Sequence, residues 1–215
     1  MIPKYLVDFK LDELPRIHTD VIVVGAGIAG LFTAIKASEQ HDVLMIAKKT
    51  LLDSNTRFAQ GGIAAVISEN DSPALHLEDT LMAGAGLCSP ESVEVLVNEG
   101  PEGVRDLIRM GTRFDKENGK LALTKEGAHS KRRILHAHGD ATGAEIVRAL
   151  SEQAMQSKRI TMWDDHFAID IVTDNENGCY GVLVQKPNGT RVFVQAKATV
   201  LCTGGAGQLY RYTTN

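Results

Sequence analysis

Asp20-Val21-Ile22-Val23-Val24-Gly25-Ala26-Gly27-Ile28-Ala29-Gly30-Leu31-Phe32-Thr33-Ala34-Ile35-Lys36-Ala37 decides the fold. A short β-branched run meets a G-x-G-x-x-G turn, and a helical pattern follows. Gly25 allows a tight turn, Gly27 lets a phosphate approach the backbone, and Gly30 lets helix pack on strand. The helix N-terminus, with its free N–H groups and positive dipole end, then faces a pyrophosphate. Val43-Leu44-Met45-Ile46-Ala47 closes a β-α-β unit. The bland alternative is a glycine turn that packs helix on sheet and holds no ligand.

An acid at the end of the second strand would accept the adenosine ribose hydroxyls. Here Ala47 is followed by Lys48 and Lys49, and a lysine cannot accept those bonds. Either backbone and Lys48 hold the ribose, or the lysines meet a 2′-phosphate. The motif leaves both open.

The chain of 215 residues suits one α/β domain or two small ones. Net charge of −4 and a pI near 6.0 give no basic field, so no nucleic-acid partner is expected. Three scattered cysteines, Cys88, Cys179 and Cys202, form no C-x-x-C and argue against a disulfide framework or structural zinc. Residues 1–17 mix charge and proline with no apolar h-region. The longest apolar run, residues 21–35, is interrupted by glycines and too short to span a bilayer. No signal peptide and no membrane span are expected, and the location expected is cytoplasmic.

Along the chain, residues 1–19 read as a tail or edge segment and 20–215 as the nucleotide-binding domain. Residues 48–62 read as a loop and 63–67 as a short strand. Ser72-Pro73 and Ser89-Pro90 each start a helix. The first runs to about Ala83, and further helical patterns cover 91–98 and 101–110. Residues 112–141 are an irregular stretch rich in His, Arg and Gly, with a weak strand at Leu121 and Leu123. Thr142 caps a helix over 143–156 with Ile146, Val147, Leu150 and Met155 as its apolar positions. From Ile160 the period becomes two, and strands at 160–163, 168–172, 182–185 and 192–195 form a small antiparallel element inserted into a parallel-sheet chain. Pro187-Asn188-Gly189-Thr190 turns the last hairpin. A buried strand at 199–202 runs into Thr203-Gly204-Gly205-Ala206-Gly207, a second glycine-rich approach to the same ligand.

Three phrases together resemble the succinate dehydrogenase/fumarate reductase flavoprotein superfamily. They are the opening G-x-G-x-x-G, the loop Asn55-Thr56-Arg57-Phe58-Ala59-Gln60-Gly61-Gly62-Ile63-Ala64-Ala65, and Cys202-Thr203-Gly204-Gly205-Ala206-Gly207. Within it the chain is similar to the L-aspartate oxidase family. The phrases are His76-Leu77-Glu78-Asp79-Thr80, Ala83-Gly84-Ala85-Gly86, Glu126-Gly127-Ala128-His129-Ser130, Arg133-Ile134-Leu135-His136-Ala137 and Asp140-Ala141-Thr142-Gly143. The match runs from about residue 20 to Tyr212-Thr213-Thr214-Asn215.

The resemblance implies a Rossmann-like FAD-binding domain and favours FAD over NADP, since these flavoproteins commonly end the second strand as Ala47-Lys48 does. Fumarate reductases and succinate dehydrogenases join FAD covalently to a histidine where Asn55 stands, so non-covalent FAD is expected. The cofactor set implied is Gly25, Ala26, Gly27, Ile28, Ala29, Gly30, Lys48, Asn55, Thr56, Arg57, Phe58, Ala59, Gln60, Gly61, Gly62, Ala168, Thr203, Gly204 and Gly205. Thr56 and the backbone of 59–62 are expected to face pyrophosphate and flavin, and Gln60 the flavin edge. Gly61 and Gly62 would allow close approach.

The reaction implied takes hydride from Cα of L-aspartate, giving iminoaspartate, with oxygen or fumarate as acceptor and a link to quinolinate synthase in NAD biosynthesis. Glu126 matches the glutamate that orients the substrate amine. His129, Arg132, Arg133 and His136 either clamp carboxylates or tie the long loop together. His136-Ala137-His138-Gly139-Asp140 spells H-x-H-x-D, a weak metal signal lacking further ligands, so no metal is expected. Cys202 reads as core, and Trp163 as packing on a strand. Family members are much longer, and their substrate-holding arginines and histidines lie past residue 215; the 215-residue chain alone is expected to be inactive.

Overall fold

The computed structural model describes residues 4–50, 53–174, 176 and 178–213. Parts of three expectations lie outside these residues: positions 1–3 of the tail, 51–52 of the loop and 214–215 of the closing phrase. In chain order the elements are β1 (Arg16–His18), β2 (Val21–Val24), α1 (Ile28–Ala37), β3 (Val43–Ile46), β4 (Ile63–Ala64), α2 (Pro73–Ala83), α3 (Pro90–Arg109), β5 (Lys116–Glu117), β6 (Lys120–Leu121), β7 (Leu123–Thr124), β8 (Ile134–Leu135), α4 (Thr142–Gln156), β9 (Ile160–Trp163), β10 (Phe167–Thr173), β11 (Cys179–Gln185), β12 (Arg191–Gln195) and β13 (Ala198–Leu201). They fall into two compact units, one from residues 1–56 and 150–215, the other from 57–149.

The first unit is α/β and built on a parallel sheet of order β13-β2-β3-β9. Every residue of β2 and β3 is buried. Such unbroken apolar strands need cover on both faces. One face packs on α1, which buries Gly30, Leu31, Ala34 and Ile35. The other presents Ile22, Val24, Leu44 and Ile46 to Val182, Val184, Val192 and Val194. Those valines belong to a second sheet of order β1-β12-β11-β10. Its far face buries Val172, Leu183 and Phe193 under Val7, Phe9, Leu11 and Leu14.

Ile160–Trp163 is not part of the antiparallel element: it pairs in parallel with Val43–Ile46 as an edge of the main sheet. A period of two gives the pleat and says nothing of strand direction. The strand at 198–201 is less buried than expected, with Leu201 55% exposed on the opposite edge. Residues 4–18, read as a tail or edge segment, supply the cover just described and the edge strand β1, parallel to β12. The Pro187–Thr190 turn stands as read, closed by the Lys186 N–H donating to the Thr190 carbonyl at 2.8 Å.

The second unit packs α2 against α3 and holds a small sheet of order β4-β8-β7 beside the pair β5-β6. Ser72 and Ser89 cap their helices as the sequence predicts, each hydroxyl accepting a backbone N–H of the first turn. The two helical patterns at 91–98 and 101–110 are one helix, α3, with Pro101 inside it. Proline removes one helical hydrogen bond. The helix continues because Val93, Val97, Pro101, Val104 and Leu107 form one buried stripe across that point. In α4 the buried place expected of Met155 goes to Ala154, and Met155 is 62% exposed. Thr142 does not cap α4: its hydroxyl donates to the Gly61 carbonyl at 2.6 Å and accepts the Ala137 N–H at 3.1 Å. Among the described residues no helix is long and apolar enough to cross a membrane.

Candidate cofactor site

A cleft of about 510 Å³ opens at the C-terminal ends of β2, β3 and β13, in the first unit. Its size falls in the range of pockets that take small organic ligands. The turn after β2 forms its floor. Gly25 has φ +111°, and a Cβ there would lie 2.1 Å from the Cys202 carbonyl oxygen, so the turns after β2 and β13 touch through a position only glycine fills. A Cβ on Gly30 would lie 1.9 Å from the Gly25 carbonyl oxygen. Cys202 thus contributes backbone to the glycine turn as well as a half-buried side chain.

Gly27 is the N-cap of α1, makes no side-chain cap, and no acid follows in the first turn. Thr56 takes that role from a distance: its Oγ1 accepts the Ile28 N–H at 3.1 Å. Among the described residues the N–H groups of Ala29 and Gly30 meet no acceptor. A helix start without its own carboxylate, next to a cleft, suits an anionic group.

Of the residues named from sequence, Gly25, Ala26, Gly27, Lys48, Asn55, Thr56, Ala168, Thr203, Gly204 and Gly205 line this cleft. Ile28, Ala29 and Gly30 form the helical turn behind it. Lys49, also on the cleft, is tied to Asp53 at 2.9 Å, which weakens the case for a pair of lysines meeting a 2′-phosphate. The sequence reading missed His166, Phe167, Ile169, Asp170 and Ile171, which wall the cleft beside Ala168. A register shift between Ala168 and Asp170 breaks the alternation of β10, so neighbouring residues reach the same side. Trp163 packs as expected, half-buried and stacked on the His166 ring at 4.7 Å.

Arg57, Phe58, Ala59, Gln60, Gly61, Gly62 and Glu126 belong to the second unit. There Gly62 is explained by packing: a Cβ would lie 2.4 Å from Ile134 Cγ2 and 2.5 Å from the Leu135 carbonyl oxygen. The Ala59 carbonyl accepts the Gly143 N–H at 3.2 Å, and the loop is thereby fixed to the start of α4. Phe58 and Gln60 are exposed, Phe58 by 62%.

Of the four basic residues grouped with Glu126, Arg133 is committed to structure. It is fully buried and forks onto Asp71 with two bonds of 2.8 Å, while Nη1 donates to Asp79 at 2.6 Å. Asp79 also accepts the N–H and hydroxyl of Ser130, each at 2.8 Å. Burial pushes Asp79 up, but the Ser130 bonds and the Arg133 bond and charge outweigh it and hold the carboxyl at about 2. Asp71 bonding raises Arg133, which stays charged. Burial and the Arg133 charge lower His76, whose ring lies 5.7 Å from that of His129.

Glu126 stands apart from that cluster. Its carboxylate is half-exposed and lies 3.1 Å from His136 Nε2. The H-x-H-x-D residues diverge: His138 Nε2 lies 3.8 Å from Glu145 instead. Among the described residues no three His, Cys, Asp or Glu side chains gather into a metal-holding group.

The FAD binding domain family matches residues 20–215. L-aspartate oxidase of Streptomyces coelicolor is 47% identical over 93% of this chain and 35% of its own length. That of Nostoc sp. is 42% identical over 100% of this chain and 39% of its own. The chloroplastic enzyme of Arabidopsis thaliana is 45% identical over 92% and 31%. The chain therefore spans about a third of the length of these relatives and is homologous to them. Among solved structures, Mycobacterium smegmatis Sdh1 in complex with UQ1 aligns with TM-score 0.87 and 30% identity over 94% of this chain and 36% of that one. E. coli quinol fumarate reductase aligns with TM-score 0.84 and 31% identity over 93% and 34%.

Proposed function

The chain belongs to the FAD binding domain family, and we propose that it serves in an enzyme that oxidises L-aspartate to iminoaspartate. Oxygen or fumarate takes the electrons, giving hydrogen peroxide or succinate. In this reading the product feeds quinolinate synthase and the biosynthesis of NAD. The cofactor part rests on the α1 start beside the cleft, which lacks an acid of its own. The substrate part rests on 42–47% identity to L-aspartate oxidases over more than nine-tenths of the chain.

FAD supplies the two-electron acceptor for hydride leaving Cα of the substrate. The first turn of α1 and the Thr56 hydroxyl hold the pyrophosphate. Lys48 and residues 166–171 hold the adenosine end, and Asn55, which cannot form the histidyl link, leaves the cofactor non-covalent. Glu126 orients the substrate ammonium group. A half-exposed carboxylate whose neighbour at 3.1 Å is an imidazole can take up a cation without first breaking an arginine salt bridge. Arg133 takes no part in holding substrate carboxylates, because both its edges are already spent on Asp71 and Asp79.

A second reading, a fumarate reductase or succinate oxidase, is favoured by the fold match to Sdh1 at TM-score 0.87. The absorbance spectrum separates the two. The purified chain is expected to carry a flavin that survives gel filtration and is released by acid. A complete enzyme containing this sequence is expected to bleach under anaerobic L-aspartate and not under succinate. Bleaching by succinate alone supports the second reading. A chain that takes up no FAD refutes the cofactor assignment.

A further inference from the structure

Residues 125–133, between β7 and β8, are tied down at their far end. The Ser130 N–H and hydroxyl go to Asp79, and Arg133 is buried on Asp71 and Asp79. The near end carries Glu126, whose carboxylate is 51% exposed. An exposed glutamate on a loop samples several rotamers, and binding a ligand to it costs the entropy of fixing them. One side chain removes that cost here. His136 follows β8 directly, is 17% exposed, and has Cε1 3.0 Å from where a Gly62 Cβ would stand, so its ring is held from behind. Its Nε2 lies 3.1 Å from Glu126 Oε1 and 3.0 Å from Thr124 Oγ1. The Thr124 hydroxyl stands 3.5 Å from the Ile134 carbonyl, and the Nε2 it meets is the ring atom that faces the Glu126 carboxylate, which can only accept.

We infer that His136 is a positioning residue for amine selectivity: it holds one oxygen of Glu126 and leaves the other aimed outward for a substrate ammonium group. The inference rests on the proposed role of Glu126 in L-aspartate oxidation. A donor on a rigid ring suits this task better than lysine or arginine, whose fixed positive charge would compete with the incoming cation. A dicarboxylate without an amine, such as fumarate, makes no use of the pair. His136 therefore discriminates between amino-dicarboxylates and plain dicarboxylates without touching either.

The test uses a complete L-aspartate oxidase containing this sequence. His136→Phe is expected to raise the KM for L-aspartate about tenfold, while the fumarate reduction rate stays within about twofold and the flavin spectrum is unchanged. His136→Gln, which keeps an N–H donor, is expected to recover most of the loss. In a Glu126→Gln background His136→Phe adds nothing further. If the phenylalanine variant does not fold, His136→Asn, too short to reach Glu126, gives the same reading. An unchanged aspartate KM, a parallel loss of aspartate and fumarate activity, or full multiplication of the two substitutions overturns the inference. A wild-type enzyme inert to L-aspartate overturns the function beneath it as well, and is distinguishable because no variant is needed to see it.

Discussion

Thr56 Oγ1 accepts the Ile28 N–H across 3.1 Å, so the helix that opens the nucleotide fold is capped by a residue 28 positions further along the chain. Gly27, the N-cap itself, has no side chain to do this. Thr56 and the glycine turn are therefore one structural piece. Thr56→Val keeps the shape and removes the acceptor. It is expected to lower the stability of the chain by roughly 1 kcal/mol, read from urea unfolding midpoints. Thr56→Ser should restore it, and a valine variant as stable as the parent would remove Thr56 from the capping role.

Gly25→Ala places a methyl group 2.1 Å from the Cys202 carbonyl oxygen at φ +111°. Backbone cannot yield there without separating the ends of β2 and β13. The expected result is a loss of at least about 2 kcal/mol together with FAD uptake. Thermal melting and quenching of added flavin fluorescence check the two parts. An alanine variant that melts with the parent and still takes up FAD would contradict the contact.

Asp79 gives a pH signature. Its carboxyl titrates at about 2 when folded against an ordinary 3.8, so it stabilises the fold by about 2 kcal/mol above pH 4. That contribution is lost as pH falls through about 2. Asp79→Asn is expected to be less stable than the parent at pH 7, with the gap closing between pH 4 and 2. Denaturant midpoints across that window measure it; a constant gap would mean that the charge is not what matters.

Glu126→Gln in a complete L-aspartate oxidase containing this sequence keeps the size and removes the charge. Charge-assisted hydrogen bonds of this kind are worth up to roughly 3 kcal/mol. The kcat/KM for L-aspartate is expected to fall about a hundredfold, with fumarate reduction little changed. Equal losses for both substrates would take Glu126 out of the amine role.

The β2-α1-β3 core was legible because its signals are local: apolar strands, a glycine turn and a helical period within one short stretch. The caps Ser72 and Ser89 were legible for the same reason. What escaped depends on distant partners. The direction of β9 is fixed by β3, more than a hundred residues away. The wall at 166–171 depends on an irregular register with β11. For Arg133 the sequence left two roles open, clamping carboxylates or tying the long loop together, and what decides for the second is a pair of carboxylates, Asp71 and Asp79, more than fifty residues earlier in the chain. Pro101 looked like a break because its local cost is visible and the buried stripe that offsets it is not. The Glu126–His136 pair joins residues ten apart in a stretch with no periodic pattern to read.

The second unit is inserted into the first after residue 56, and this orders events during synthesis. Residues 57–149 are contiguous and can condense as they emerge. The apolar strand β2 has β3 at once, but its other neighbour, β13, is made only when residues 198–201 leave the ribosome. At roughly 5–20 residues per second the wait is on the order of ten seconds. For that interval a fully apolar edge stays open to pairing with other chains. Slower translation of residues 57–197 lengthens the exposure, and chaperone demand should rise with it.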